Sequence, residues 1–98
     1  MKKLTRIQFM LAVAFMTALT DEGKAPVIRQ DEDALILGAE DAHGYDAVEF
    51  LKDGTTIVHR GWGEPSWDRW RVSQDGDLTY TGDWEDDRLP PRWLLEVL

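Results

Sequence analysis

The 98-residue chain has no cysteine, an absence that removes disulfides, thiolate metal sites, iron–sulfur clusters and cysteine nucleophiles together. A bridge-free domain of this size points to the cytoplasm. Cations are scarce as well, with 11 Lys and Arg against 19 Asp and Glu and a formal net charge of −8. Direct nucleic-acid binding is disfavoured by that balance, because phosphate contacts need clustered basic residues. No apolar run reaches the ~20 residues of a membrane span. A phosphate loop is lacking too, since Gly61-Trp62-Gly63 has neither the spacing nor the following lysine. Ser66 and Ser73 stand outside any nucleophile-elbow context. Nothing calls for a cofactor.

What is present is the composition of one globular domain spanning residues 1–98, with 43% hydrophobic and 31% charged residues. Lys2, Lys3 and Arg6 before the apolar stretch Ile7 to Leu19 resemble the start of an export signal. The end of that stretch, Ala18-Leu19-Thr20, puts threonine where cleavage prefers a small residue. A helix over about 5–20 accounts for every residue instead, with Thr5 as N-cap, Gln8 three residues on, and Gly23 and Pro26 beyond its end. Ile7, Met10, Leu11, Ala14 and Ala18 form one stripe at helical spacing, and Phe9, Val13 and Met16 a second. Two apolar faces predict a deeply covered helix, whose second face meets the carboxy-terminal segment or the same helix of a second copy in a homodimer.

Beyond Pro26 the pattern changes to short β-branched and aromatic runs between acidic or glycine turns. Val27 to Arg29 and Ala34 to Leu37 pair across residues 30–33. Two firmer hairpins, over about 45–62 and 67–84, flank Asp53-Gly54 and Asp75-Gly76, where the turn needs positive φ at residues that tolerate it. Period-two alternation assigns Val48, Phe50, Trp70, Val72, Leu78 and Tyr80 to the core side, with Arg69 and Arg71 facing outward. Pro90-Pro91 then opens a short helix over about 91–97 that must dock its apolar residues. The predicted fold is α+β, an antiparallel meander of four to six strands packed against an N-terminal and a short C-terminal helix.

Charge is unevenly placed along this fold. Asp31, Glu32, Asp33, Glu40, Asp41, Asp46 and Glu49 fall within twenty residues that contain no Lys or Arg, and Asp83, Glu85, Asp86 and Asp87 follow later. Glu40, Asp41, His43 and Asp46 alone combine imidazole with carboxylates, yet their spacing matches no metal motif, so no metal is expected. His59, inside a strand, is assigned no role, and no catalytic set emerges. Tyr80-Thr81-Gly82-Asp83-Trp84 echoes the core of membrane-occupation repeats, but such folds need tandem copies. Residues 61–70 crowd Trp62, Trp67, Arg69 and Trp70 around Gly and Pro, and Trp and Arg dominate binding hot spots.

These observations point to a non-enzymatic protein-binding module. Asp31, Glu32, Asp33, Glu40, Asp41, Asp46, Trp62, Trp67 and Arg69 are its candidate contact residues, and its expected partner is a protein with a basic surface. The sharpest form is a small inhibitor of a nucleic-acid-handling protein, similar in size and charge to inhibitors that mobile elements direct against restriction and CRISPR systems. A sugar- or flat-ligand-binding module lined by Trp62, Trp67 and Trp84 is the alternative, and a small hydrolase using His43 the third.

Overall fold

The computed structural model describes residues 3–41, 44–63, 65, 67–82 and 88–98. Helix α1 (Arg6–Asp21) begins where expected, because the Thr5 hydroxyl accepts from the Gln8 N–H and the Gln8 side chain accepts from the Thr5 N–H, each at 3.1 Å. That reciprocal cap satisfies two N–H groups a helix start otherwise leaves unbonded. Six strands follow: β1 (Val27–Gln30), β2 (Ala34–Asp41), β3 (Gly44–Leu51), β4 (Thr56–Trp62), β5 (Asp68–Val72) and β6 (Leu78–Tyr80), and helix α2 (Arg92–Val97) ends the chain. Each strand pairs antiparallel with the next in sequence order, giving one six-stranded meander. The α+β class is as the sequence predicts, and antiparallel strands flank both Asp-Gly turns, although the second hairpin's last strand ends at Tyr80 and not at the expected residue 84.

The turn chemistry differs in detail. Leu51 N–H bonds Thr55 O and Gly54 N–H bonds Leu51 O, and Ser73, Asp77 and Gly76 repeat that pattern. Only the glycines take positive φ, at 93° and 89°, while the described non-glycine residues take none. Each loop is therefore three residues long with a left-handed glycine last, which the geometry of a Cβ would strain.

Both helices cover one face of the sheet. Leu11, Phe15 and Leu19 pack there against Leu37, Val48, Phe50, Val58, Trp70 and Val72, and Leu78 and Tyr80 join them, so the alternation holds on every strand it was applied to. The helix stripe is rotated from the expected one: the buried line is Gln8, Leu11, Phe15 and Leu19, whereas Met10, Phe9 and Val13 are exposed. The reason is Gln8. Its buried amide donates to Leu51 O at 2.9 Å and Thr55 O at 3.1 Å, which turns that polar residue, not Met10, toward the β3–β4 loop. α2 covers one flank of α1 through Leu94, Val97 and the Trp93 ring, 5.3 Å from Phe15, and leaves Leu95 and Leu98 open. The second face of α1 is thus largely uncovered among the described residues.

Replacing Gln8 by leucine would leave both loop carbonyls without their donor. A loss of about 1–3 kcal/mol is expected in urea unfolding, as for buried polar groups deprived of partners, against about 1 kcal/mol for Thr5→Ala at the cap.

Candidate functional site

β3 and β4 pair in one register up to Ala47↔His59, then shift so that Tyr45 faces Trp62. β4 therefore carries an extra residue. Gly61 supplies it with φ of 71°, and the Asp46 carboxylate, opposite the irregularity, accepts the Gly61 N–H at 3.0 Å. A bulge of this kind breaks the two-residue alternation. Trp62 consequently lands on the same face as His59, the face away from the helices.

An aromatic cluster results. Trp62 lies flat on His59 with centroids 4.0 Å apart and planes 12° apart, and Trp67, just before β5, lies parallel to Trp62 at 5.7 Å. The Arg69 guanidinium sits 4.5 Å over the Trp67 ring, while Arg71 is exposed. Trp67 Nε1 meets His59 Nδ1 at 3.2 Å. An indole nitrogen only donates, so Nδ1 must hold a lone pair. The ring proton is then on Nε2, which bonds the Glu49 carboxylate. Burial, opposed by Glu49 and assisted by Arg69, holds the His59 pKa below its ordinary 6.5, in agreement with a neutral ring. With both nitrogens engaged, neither offers a lone pair to a metal or a substrate proton.

On the helix-covered face, Asp68 is 2% exposed and is surrounded by donors. Arg60 Nη2 reaches its Oδ2 at 2.9 Å, Tyr80 Oη its Oδ1 at 2.9 Å, and Arg88 Nε its Oδ1 at 3.4 Å. Beside it a cleft of about 480 Å³ opens between the end of α1, the start of α2 and β3–β4. Phe15, Leu19, Val58 and Trp93 supply apolar walls, Asp21, Glu22, Asp46 and Glu96 supply carboxylates, and Arg60 and Arg92 supply guanidinium groups, with Arg92 paired to Glu96 at 3.0 Å and Glu22 to Lys24 at 3.2 Å. α1 ends here with no basic residue in its last turn, so the negative end of its dipole also faces the opening.

The acidic residues singled out in the sequence do not form one patch. Asp31, Glu32 and Asp33 occupy the β1–β2 turn, together with the Asp53 and Asp75 turns at that end of the sheet. Glu40, Asp41 and Asp46 lie at the other end of β2 and β3, about 24 Å away at ~3.4 Å per residue. The Asp31 carboxyl, held below its ordinary value by the N–H groups of Asp33 and Ala34, is a turn cap, and Asp33 pairs with Lys52 at 3.5 Å. Trp62 and Trp67 are both half-buried and come together with Arg69. His43, Trp84 and the acidic run 83–87 lie outside the described residues.

Glu49 and His59 were missed, although a signal for them existed. A three-residue loop closing on Leu51 and Thr55 dictates Glu49↔Ile57 and Ala47↔His59, which makes Glu49 and His59 diagonal neighbours. Among the described residues no trio of His, Asp or Glu is placed to hold a metal ion, and no helix is long and apolar enough to cross a membrane. No protein-family model, curated protein or solved structure matches the chain.

Two outcomes test this geometry. The unfolded chain protonates His59 near pH 6.5 while the folded ring resists. Its contribution to stability is then complete above that pH and is lost as pH falls through the depressed folded value. Urea midpoints should drop below pH 6.5, and less so in His59→Gln. Gly61→Ala should cost about 1–2 kcal/mol for a left-handed non-glycine residue and weaken the near-ultraviolet circular dichroism of stacked tryptophans.

Proposed function

We propose that the protein is a non-enzymatic binding module that receives a basic side chain of a protein partner in the cleft between α1, α2 and β3–β4. The observation that carries this reading is the pairing of apolar walls with the carboxylates of Asp21, Glu22 and Asp46 at the negative end of a helix, in a cleft whose two guanidinium groups, Arg60 and Arg92, are held by Asp68 and Glu96. An arginine or lysine would lay its methylene stem against Phe15 and Trp93 and keep its charged head among Asp21, Glu22 and Asp46. The engaged state of His59 and Asp68 supports a binding role over a hydrolytic one.

In its sharpest form the module is an inhibitor acting in the cytoplasm. It would deny a nucleic-acid-handling protein the use of its basic groove, in the manner of anti-restriction and anti-CRISPR proteins. The net charge of −8 favours fast encounter with such a surface. Trp62, stacked on His59 and half-exposed, favours a second reading as a platform for a sugar or other flat ligand. Quenching of tryptophan fluorescence by a glycan, lost in Trp62→Ala, would select that reading instead.

The test uses an arginine-rich hexapeptide as probe in calorimetric titration. Affinity should fall between 50 and 200 mM salt, and reversing Asp21 and Glu22 to lysine should weaken it by about tenfold, the effect of a few partly screened pairs. Reversing Asp31 and Asp33 at the far end should leave it within about twofold. Equal losses from both reversals, or indifference to salt, would reject the cleft as the site.

A further inference from the structure

His59 is the one imidazole among the described residues, and it is 5% exposed on the sheet face turned from the helices. Three partners hold it. Trp62 lies flat on the ring, the Glu49 carboxylate accepts from Nε2, and the Trp67 indole donates to Nδ1. A further proton on a neutral imidazole goes to the nitrogen that lacks one, which here is Nδ1. It would point at the indole N–H, 3.2 Å away. Two donors cannot share that gap, so the Trp67 bond and the proton at Nδ1 exclude each other.

We propose that His59 is a proton-operated latch on Trp67, in which uptake of one proton from solvent at Nδ1 expels the Trp67 indole from the cluster while Trp62 stays in place. The surroundings of the ring decide which partner moves. His59 and Glu49 stand inside β4 and β3, and their bond becomes charge-assisted on both sides when the ring is protonated. Trp62 faces the ring at 4.0 Å, and an aromatic face attracts a cation laid against it. Trp67 alone loses by the change. It precedes β5, outside any strand, in a connection that contains Pro65 and Gly63 with φ of 94°.

Among the described residues, the charged groups that face the ring are Glu49 from β3 and Arg69 from β5. Arg60 of β4 points to the opposite face, where Asp68 holds it, and the Asp46 carboxylate of β3 accepts from Gly61 N–H. Burial opposes the positive ring, Glu49 favours it and Arg69 opposes it, and the balance places opening below pH 6.5. The Arg69 guanidinium, 4.5 Å over Trp67, repels an imidazolium and so adds to the displacement.

At neutral pH Trp62, Trp67 and Arg69 form one continuous surface. In acid that surface is divided and Trp67 turns to solvent, while the core on the other side of the sheet, to which neither Trp67 nor His59 belongs, keeps its packing. The latch is independent of what the cleft receives.

An NMR titration of the full chain from about pH 8 to about 4.5, which spans the range of a histidine, tests it through the imidazole carbons and the indole N–H signals. His59→Gln, whose amide donates to Glu49 and accepts from Trp67 without titrating, separates the His59 signals from those of His43. The Trp67 N–H should lose protection from water exchange with the same midpoint as His59. The Trp70 N–H, bonded to Arg88 O, should not respond, and the far-ultraviolet circular dichroism should be retained. In His59→Gln the Trp67 N–H should stay protected throughout. Trp67→Phe, which removes the competing donor, should raise the His59 midpoint, and Glu49→Gln, which keeps an acceptor without the charge, should lower it. A Trp67 signal indifferent to His59 protonation, a midpoint that fails to rise in Trp67→Phe, or protection lost only together with the whole fold would overturn the proposal.

Discussion

The buried Asp68 carboxylate joins more of the molecule than any other described polar group. Arg60 comes to it from β4, Tyr80 from β6 and Arg88 from the segment that leads into α2. Trp70, one pleat along β5, adds an indole N–H bond to Arg88 O at 3.2 Å and lies 4.8 Å beneath the Arg60 guanidinium. A charge this deeply buried is tolerated only when hydrogen-bonded on most sides. The requirement therefore fixes where the chain returns after β6, and so where α2 meets α1. The cleft exists because α2 is held there.

On the opposite face, a single backbone irregularity has the comparable effect. Without the residue added at Gly61, Trp62 would point toward the helices and His59 would lack its stacking partner. The bulge brings together an imidazole, two indoles, a carboxylate and a guanidinium, and in doing so occupies both imidazole nitrogens. Nδ1 accepts from the Trp67 indole and Nε2 donates to the Glu49 carboxylate. Rigid aromatic and arginine surface is what remains available, and such surface suits recognition.

The acidic residues at 31–33 and those at 40, 41 and 46 are separated by the length of the strands that lie between them. Antiparallel pairing sends residues close in sequence to opposite ends of the sheet and gathers residues from distant turns at one end. Asp46 leaves its neighbours in the chain and joins Asp21, Glu22 and Glu96 at the cleft. Electrostatic character is thus a property of the meander's ends.

Local rules sufficed for the capped helix from Thr5, the three hairpins and the inward positions from Val48 to Tyr80. A helix cap, a glycine turn and the alternation of a strand are each settled within a few residues. Tertiary structure alone decided that Gln8 rather than Met10 faces the core, that Asp68 is buried among Arg60, Tyr80 and Arg88, and that Asp31 and Asp41 lie far apart. Those outcomes depend on which distant groups supply hydrogen bonds and charge, and burial makes such partners obligatory only after the sheet and helices have packed.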